Sequence, residues 1–293
     1  MYDSNNNSPY SRSSRNSGGG IGGRLIVAII IALVAWFMYA TNTEVNPVTG
    51  EKQHVSYSPD QEVQLGLKSA PEMARQMGGE LSSTDPRTRE VQKIGNYIVS
   101  KIDIKNSPWK FQFHLLADDQ TVNAFALPGG QIFITLGLLN KLQTEAELAG
   151  VLSHEMGHVI QRHSSQQMAK TQLGQSLVIA VGTAASDSGD PNNSAAMIAS
   201  MVNQMTQLSY SRSDESEADA WGIKLMTQAG FNPEAMIEVM EILKAASGAG
   251  EGGSDFFQTH PNPDLRIQQI KAYLKAHPPE EGLSDGRLLR TVY

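Results

Sequence analysis

Residues 144–158 read Thr144-Glu145-Ala146-Glu147-Leu148-Ala149-Gly150-Val151-Leu152-Ser153-His154-Glu155-Met156-Gly157-His158, and the rest of the chain is best read outward from them. Thr144 followed three residues later by Glu147 has the form of a capping box, so a helix begins there. Leu148, Val151 and Leu152 give it an apolar face. His154 and His158 lie four residues apart, one turn along one face, where two imidazoles can hold a single Zn2+. Glu155 stands beside them, placed to take a proton from a metal-bound water rather than to bind the metal. Gly157 is read as leaving room at the metal face. It costs about 1 kcal/mol against Ala in a helix interior, which two merely solvated histidines would not explain.

A tetrahedral catalytic site needs a third protein ligand and one open position. The best source is Ser211-Arg212-Ser213-Asp214-Glu215-Ser216-Glu217-Ala218-Asp219, which opens a second helical run. Glu215 and Asp219 are four apart and share a face. One can bind the metal while the other accepts a hydrogen bond from a ligand imidazole; spacing alone does not choose between them. Asp214 and Glu217 read as acids that complement the helix dipole.

Composition agrees with a site of this kind. The chain of 293 residues carries a formal net charge of −7 and no cysteine. Zero Cys excludes disulfide frameworks, thiolate zinc sites, iron–sulfur clusters and cysteine nucleophiles, so any metal is held by His, Asp or Glu. An acidic chain is a poor phosphate-backbone binder, and no nucleic-acid partner is expected. The charge is uneven: residues 1–40 sum to +2 and the remainder to −9.

Residues 1–24 are rich in Ser, Asn, Gly and Arg and read as a disordered cytoplasmic tail. Residues 25–40, Leu25 to Ala40, run apolar without a charge. Sixteen helical residues span about 24 Å, slightly short of a ~30 Å hydrocarbon core. Trp36 and Tyr39 suit the far interface. A cleaved signal peptide has the same layout, but cleavage after Ala40 would put Met38 where a small residue is preferred. The reading is therefore a single-pass transmembrane anchor in a lipid bilayer. Arg12, Arg15 and Arg24 precede it, which keeps the N-terminus cytoplasmic and exports the rest.

Residues 41–57 read as a polar linker, and residues 58–293 as one domain. Ser58-Pro59-Asp60 and Asp85-Pro86 are helix starts. Phe111, Phe113 and Leu115 alternate as a strand; Val122–Leu127 and Gln131–Thr135 are two more, joined by Pro128-Gly129-Gly130. After Thr135 nearly everything is helical. The expected class is α+β, mainly α, with a small sheet and without regular β–α alternation. The runs Leu177–Ala185 and Ala195–Met205 are apolar but too short to span, and Gly248–Ser254 could act as a flexible lid.

The ordered set His154-Glu155-Met156-Gly157-His158, then Ser211-Arg212-x-x-Glu215-x-x-Ala218-Asp219, resembles peptidase family M48, a group of zinc metallopeptidases. Asn123-Ala124-Phe125-Ala126-Leu127-Pro128-Gly129-Gly130 and His260-Pro261 with Arg266 resemble two further segments of that family. The resemblance spans roughly residues 58 to 275. It implies a zincin (gluzincin) fold with a small mixed sheet beside the active-site helix. It implies one Zn2+ held by His154, His158 and Glu215, with Glu155 as general base and Asp219 orienting a ligand histidine. It implies that Asn123, Ala124 and Phe125 line the cleft, where an edge strand can pair with a polypeptide substrate. Arg212 would pair with a carboxylate or stabilise the oxyanion. His260 would lie near the metal, stabilising the tetrahedral intermediate or blocking the open position. His163 reads as structural, and His54, His114 and His277 as ordinary.

With one candidate span, the chain fits the single-span periplasmic quality-control type rather than members with several membrane helices. The expected activity is endopeptidase hydrolysis of misfolded or misassembled envelope proteins. Two rivals are a chaperone-like binding module whose metal is capped by His260, and a structural zinc protein. Glu155 between the ligands argues against the latter.

Overall fold

A computed structural model describes residues 21–102, 104, 107–183, 209–247, 256–279 and 281–291. The chain enters through helix α1 (Ile21–Thr41), followed by the antiparallel pair β1 (Thr43–Val45) and β2 (Lys52–His54). Helices α2 (Pro59–Gln76) and α3 (Pro86–Lys101) come next. Strands β3 (Gln112–Leu116), β4 (Ala124–Leu127) and β5 (Gln131–Thr135) form one sheet in the order β3-β5-β4. β3 runs parallel to β5 and β4 antiparallel to it, so the sheet is mixed and β4 is an edge. The remaining helices are α4 (Leu136–Leu139), α5 (Glu145–Ile160), α6 (His163–Thr183), α7 (Arg212–Gln228), α8 (Ala235–Ser247), α9 (Phe256–Thr259) and α10 (Pro263–Ala276). The architecture is mainly helical with small sheets, as the sequence reading expects. The apolar runs Leu177–Ala185 and Ala195–Met205 lie partly or wholly outside the described residues, as does Gly248–Ser254.

The helix starts follow local chemistry. Ser58 accepts from the Gln61 amide and Gln61 returns the bond to the Ser58 amide. Asp85 caps α3 and Thr144 caps α5 through the amide of Glu147. The Glu147 carboxylate reaches Gln143 N instead of closing the expected box at Thr144.

Helix α5 is the centre of the molecule. The sequence predicts one apolar face, yet all 16 of its residues are buried. A helix wrapped on every side needs apolar or satisfied residues all round. It packs against α7, α8, α3 and β4, most extensively against α7. Its first turn is covered by the C-terminal segment: Glu145 N and Ala146 N donate to the carbonyls of Arg287 and Asp285. Helix-start amides that would lack intrahelical partners are thereby satisfied.

Gly157 does a different job from the one its sequence position suggests. A Cβ there would stand 2.8 Å from the Ala218 carbonyl oxygen and 3.1 Å from the Trp221 Cβ. The glycine admits α7, not a metal. Gly157→Ala gains helix propensity but forces backbone apart, and overpacking of this kind costs about 1–3 kcal/mol. The expected outcome is a lower melting temperature in thermal unfolding. A variant as stable as the wild type would contradict this account.

Residues 41–57, read from sequence as a polar linker, carry the β1–β2 hairpin. The β1–β2 hairpin docks on the C-terminus of α5, with Asn46, Gln53 and Val55 buried. Asn46 Nδ2 donates to Ile160 O at 2.7 Å and Gln53 Nε2 to Gln161 O at 2.9 Å. These side chains supply donors to helix-end carbonyls, which a polar composition count cannot distinguish from solvation. Helix α1 packs along α6. Its side chains Leu25, Ile26, Leu33, Trp36 and Phe37 are exposed. Among the described residues no helix is long and apolar enough to cross a membrane.

Candidate metal centre

His154 and His158 project from α5 with their Nε2 atoms 3.0 Å apart. Glu215, on the first turn of α7, brings Oε2 to 3.5 Å from His154 Nε2 and Oε1 to 3.5 Å from His158 Nε2. His260 follows the short helix α9 and places Nδ1 3.3 Å from His154 Nε2 and 3.0 Å from Glu215 Oε1. All four residues are buried, and a ligand atom from each lies within 4.8 Å of the others. Ligand bonds of 2.0–2.1 Å in a tetrahedron imply ligand–ligand separations of roughly 3.3 Å. The observed spacings cluster about that value.

The proton inventory points the same way. His154 Nδ1 lies 2.9 Å from Asp219 Oδ1, so the carboxylate accepts the Nδ1 proton and leaves Nε2 to face the cluster. Burial holds the His158 pKa well below the ordinary imidazole range, which keeps that ring neutral. Nitrogens of two imidazoles and a carboxylate therefore converge on one point, an arrangement that a shared cation satisfies. The donor set fits a zinc ion.

Arg266, from α10, locks the carboxylates. Its Nε and Nη2 donate to Asp219 Oδ2 and Oδ1 at 2.9 and 2.6 Å, and Nη1 lies 2.7 Å from Glu215 Oε2. Burial alone would raise both acids. For Glu215 the charges of His260 and Arg266 win, and for Asp219 that of Arg266, so both fall below their usual values. Arg212, expected to pair with a carboxylate or stabilise the oxyanion, is exposed on the first turn of α7. Arg266 was quoted only as part of a segment. Its distance along the chain from Asp219 hides the pairing.

Glu155 is 1% exposed and both its carboxylate oxygens lack a hydrogen-bond partner among the described residues. Burial raises its pKa. The nearest cationic partner is His260, whose Nε2 is 3.6 Å from Glu155 Oε1. Burial alone would lower the His260 pKa, but Glu215 and Glu155 outweigh it and raise it.

Asn123 leads into edge strand β4, which packs beside α5; Asn123 and Ala124 are buried and Phe125 is half-buried. Asn123 Oδ1 has no hydrogen-bond partner among the described residues. Of the remaining histidines, His54 stacks on Tyr39, His114 on Phe133 and His277 on Tyr273, all away from this centre. His163 is the exception: the sequence reading treated it as structural, and it lies against His158.

A buried pair of histidines one turn apart, a carboxylate from a second helix and a third histidine make a group that could hold a metal ion, with a buried glutamate beside it. The profile of peptidase family M48 matches residues 85–274, and this chain belongs to that family. It is 31% identical over 237 residues to mitochondrial metalloendopeptidase OMA1 of Schizosaccharomyces pombe, covering 80% of this chain and 68% of that protein. It is 30% identical over 253 residues to the beta-barrel assembly-enhancing protease of Escherichia coli, covering 84% of this chain and 50% of that one. A putative beta-barrel assembly-enhancing protease of Vibrio cholerae is 31% identical over 205 residues, 67% of this chain and 41% of its own length. The chain thus spans half or less of these bacterial relatives.

Proposed function

We propose that this protein is a zinc endopeptidase, anchored through residues 25–40, that cleaves misfolded or misassembled proteins of the bacterial envelope. The observation that carries the reading is the convergence of His154 Nε2, His158 Nε2 and Glu215 within 3.5 Å, beside the unpartnered carboxylate of Glu155. The names of the relatives, metalloendopeptidase and beta-barrel assembly-enhancing protease, support the substrate class. The exposed apolar side chains of α1 support the anchor.

His154, His158 and Glu215 would hold the ion. Bound there, zinc supplies a Lewis acid for the scissile carbonyl and lowers the pKa of water to about 7. Glu155 takes the proton of the attacking water and delivers it to the leaving amine. Asp219, held by Arg266, keeps the Nδ1 proton on His154 and so directs Nε2 to the metal. The edge strand β4 at Asn123–Phe125 would be the strand for an extended substrate to pair with.

A second reading concerns His260. Its Nδ1 lies within 3.3 Å of two of the metal-binding atoms, where a fourth ligand would close the open position. The protein then rests capped, and a permanently capped form would act as a binding module with little cleavage.

One preparation tests these readings. The full chain, extracted from membranes with detergent, is expected to hold one zinc and to cleave casein. Phenanthroline abolishes cleavage and added zinc restores it. His260→Ala is expected to raise cleavage severalfold; a loss instead assigns His260 to stabilising the transition state. Zinc binding without cleavage in either protein would overturn the peptidase reading, and recovery of the full chain in the soluble fraction would overturn the anchor.

A further inference from the structure

We propose that His163 and Glu217 are positioning residues that fix the tautomer and ring orientation of His158. They act through a one-way chain from His158 Nδ1–H to His163 Nδ1 and from His163 Nε2–H to Glu217 Oε2. The proposal rests on the metal-site reading above. His158 Nδ1 and His163 Nδ1 are 2.9 Å apart, and His163 Nε2 is 3.2 Å from Glu217 Oε2.

With a metal ion on His158 Nε2, one proton assignment fits these contacts. His158 Nε2 faces His154 Nε2 and Glu215, so as a ligand atom it carries a lone pair and its proton sits on Nδ1. Of two nitrogens 2.9 Å apart, one must donate; His158 does, and His163 Nδ1 accepts. The His163 proton then sits on Nε2, facing a carboxylate that can only accept. Ligand histidines generally spend their second nitrogen in this way. The two ligands differ in how they do so. His154 meets a buried carboxylate locked by an arginine, whereas His158 reaches a half-exposed carboxylate through a second imidazole.

The backbone is built to put His163 there. In a continuous helix, residue 163 would lie roughly 140° around the axis from residue 158. The helix instead ends at Ile160, and Arg162 adopts φ 60°, a conformation non-glycine residues rarely hold. That swings His163 back against the last turn of α5. Arg162 is itself buried, with Nε and Nη2 donating to Glu62 Oε1 at 3.0 and 2.8 Å and Nη2 also to Tyr57 O at 2.7 Å. Asn46 and Gln53 hold the carbonyls on either side of Gln161 N. Tyr210 stacks on the His158 ring, with centroids 4.0 Å apart, and hydrogen-bonds Ser164 through its hydroxyl.

The test uses the full chain in detergent, with zinc affinity read by chelator competition and histidine tautomers by long-range nitrogen–proton NMR in mildly alkaline buffer. His163→Phe, which keeps a ring but no acceptor, is expected to weaken zinc binding about 10- to 100-fold. His163→Asn, whose carbonyl can replace Nδ1 as acceptor, should recover most of that loss. Glu217→Ala, at a half-exposed position that leaves folding intact, is expected to weaken zinc binding to a smaller degree. In the wild type, His163 should carry its proton on Nε2. His163 protonated on Nδ1, or full zinc affinity in both His163→Phe and Glu217→Ala, would overturn the proposal. A wild type that cleaves casein alongside such results leaves the peptidase reading intact. A wild type that holds no zinc overturns the metal-site reading and this proposal with it; one that holds zinc without cleaving casein overturns the peptidase reading alone, and the tautomer and affinity measurements still decide this one.

Discussion

Glu155→Gln is expected to reduce peptide hydrolysis by about 10²- to 10⁴-fold, the range for removal of a positioned general base. Zinc content should stay at the wild-type level, because Glu155 is not among the four residues whose ligand atoms converge. The fold should also survive, and the physical reason gives the sign. Burial raises the Glu155 pKa, so the folded state binds its proton more tightly than the unfolded chain does. As pH rises past the ordinary carboxylate range, the ionised group opposes folding. A neutral amide of the same shape removes that penalty, so at neutral pH the variant should melt at the same temperature as the wild type or higher. A raised pKa also suits a base that works near neutrality. Casein cleavage by the wild type and variant, with zinc analysis and thermal unfolding of both, checks all three points. Cleavage that persists in the variant would sink the proposed role of Glu155.

The second large effect falls on stability. Arg266→Met leaves Glu215 and Asp219 buried without their guanidinium. Removing one partner from a buried ionic network typically costs about 3–5 kcal/mol, because the charge left behind is not solvated. The expected result is a marked fall in melting temperature and a loss of zinc, since Asp219 no longer sits fixed against His154 Nδ1. Arg266→Met combined with Asp219→Asn should recover part of the stability by removing one stranded charge. A single variant with wild-type stability would show that the network contributes nothing net. The same substitution at Arg212, which is exposed, is expected to leave stability unchanged.

The parts of the site legible in the sequence are those whose geometry is local. His154 and His158 share a face because helical periodicity is short-range, and Glu215 and Asp219 do so for the same reason on α7. The helix starts at Ser58, Asp85 and Thr144 are equally local, since an N-cap acts within three residues. The β5 strand, Gln131–Thr135, agrees with the short extended run read there and the Pro128-Gly129-Gly130 turn before it. The mixed sheet and its edge followed from the family resemblance rather than from periodicity.

What could not be read depended on contacts between distant segments. Spacing left Glu215 and Asp219 interchangeable; only the packing of α7 on α5 turns Glu215 toward both imidazole Nε2 atoms and Asp219 toward His154 Nδ1. Arg266 and Arg212 look alike in composition, and only the position of α10 buries one and leaves the other in solvent. Gly157 looked like clearance for a metal and proves to be clearance for a helix. The polar stretch 41–57 gave no sign that Asn46 and Gln53 bond carbonyls at the end of α5. His163, five residues beyond His158, belongs with it only because one left-handed residue breaks the helix between them. The sequence by itself determined the chemical class of the centre, through residue types repeating at the pitch of a helix. Tertiary structure decided which carboxylate faces the metal position, which arginine neutralises the pair and which histidine backs the ligand. Those choices depend on burial and on pairing across the chain, which local spacing does not encode.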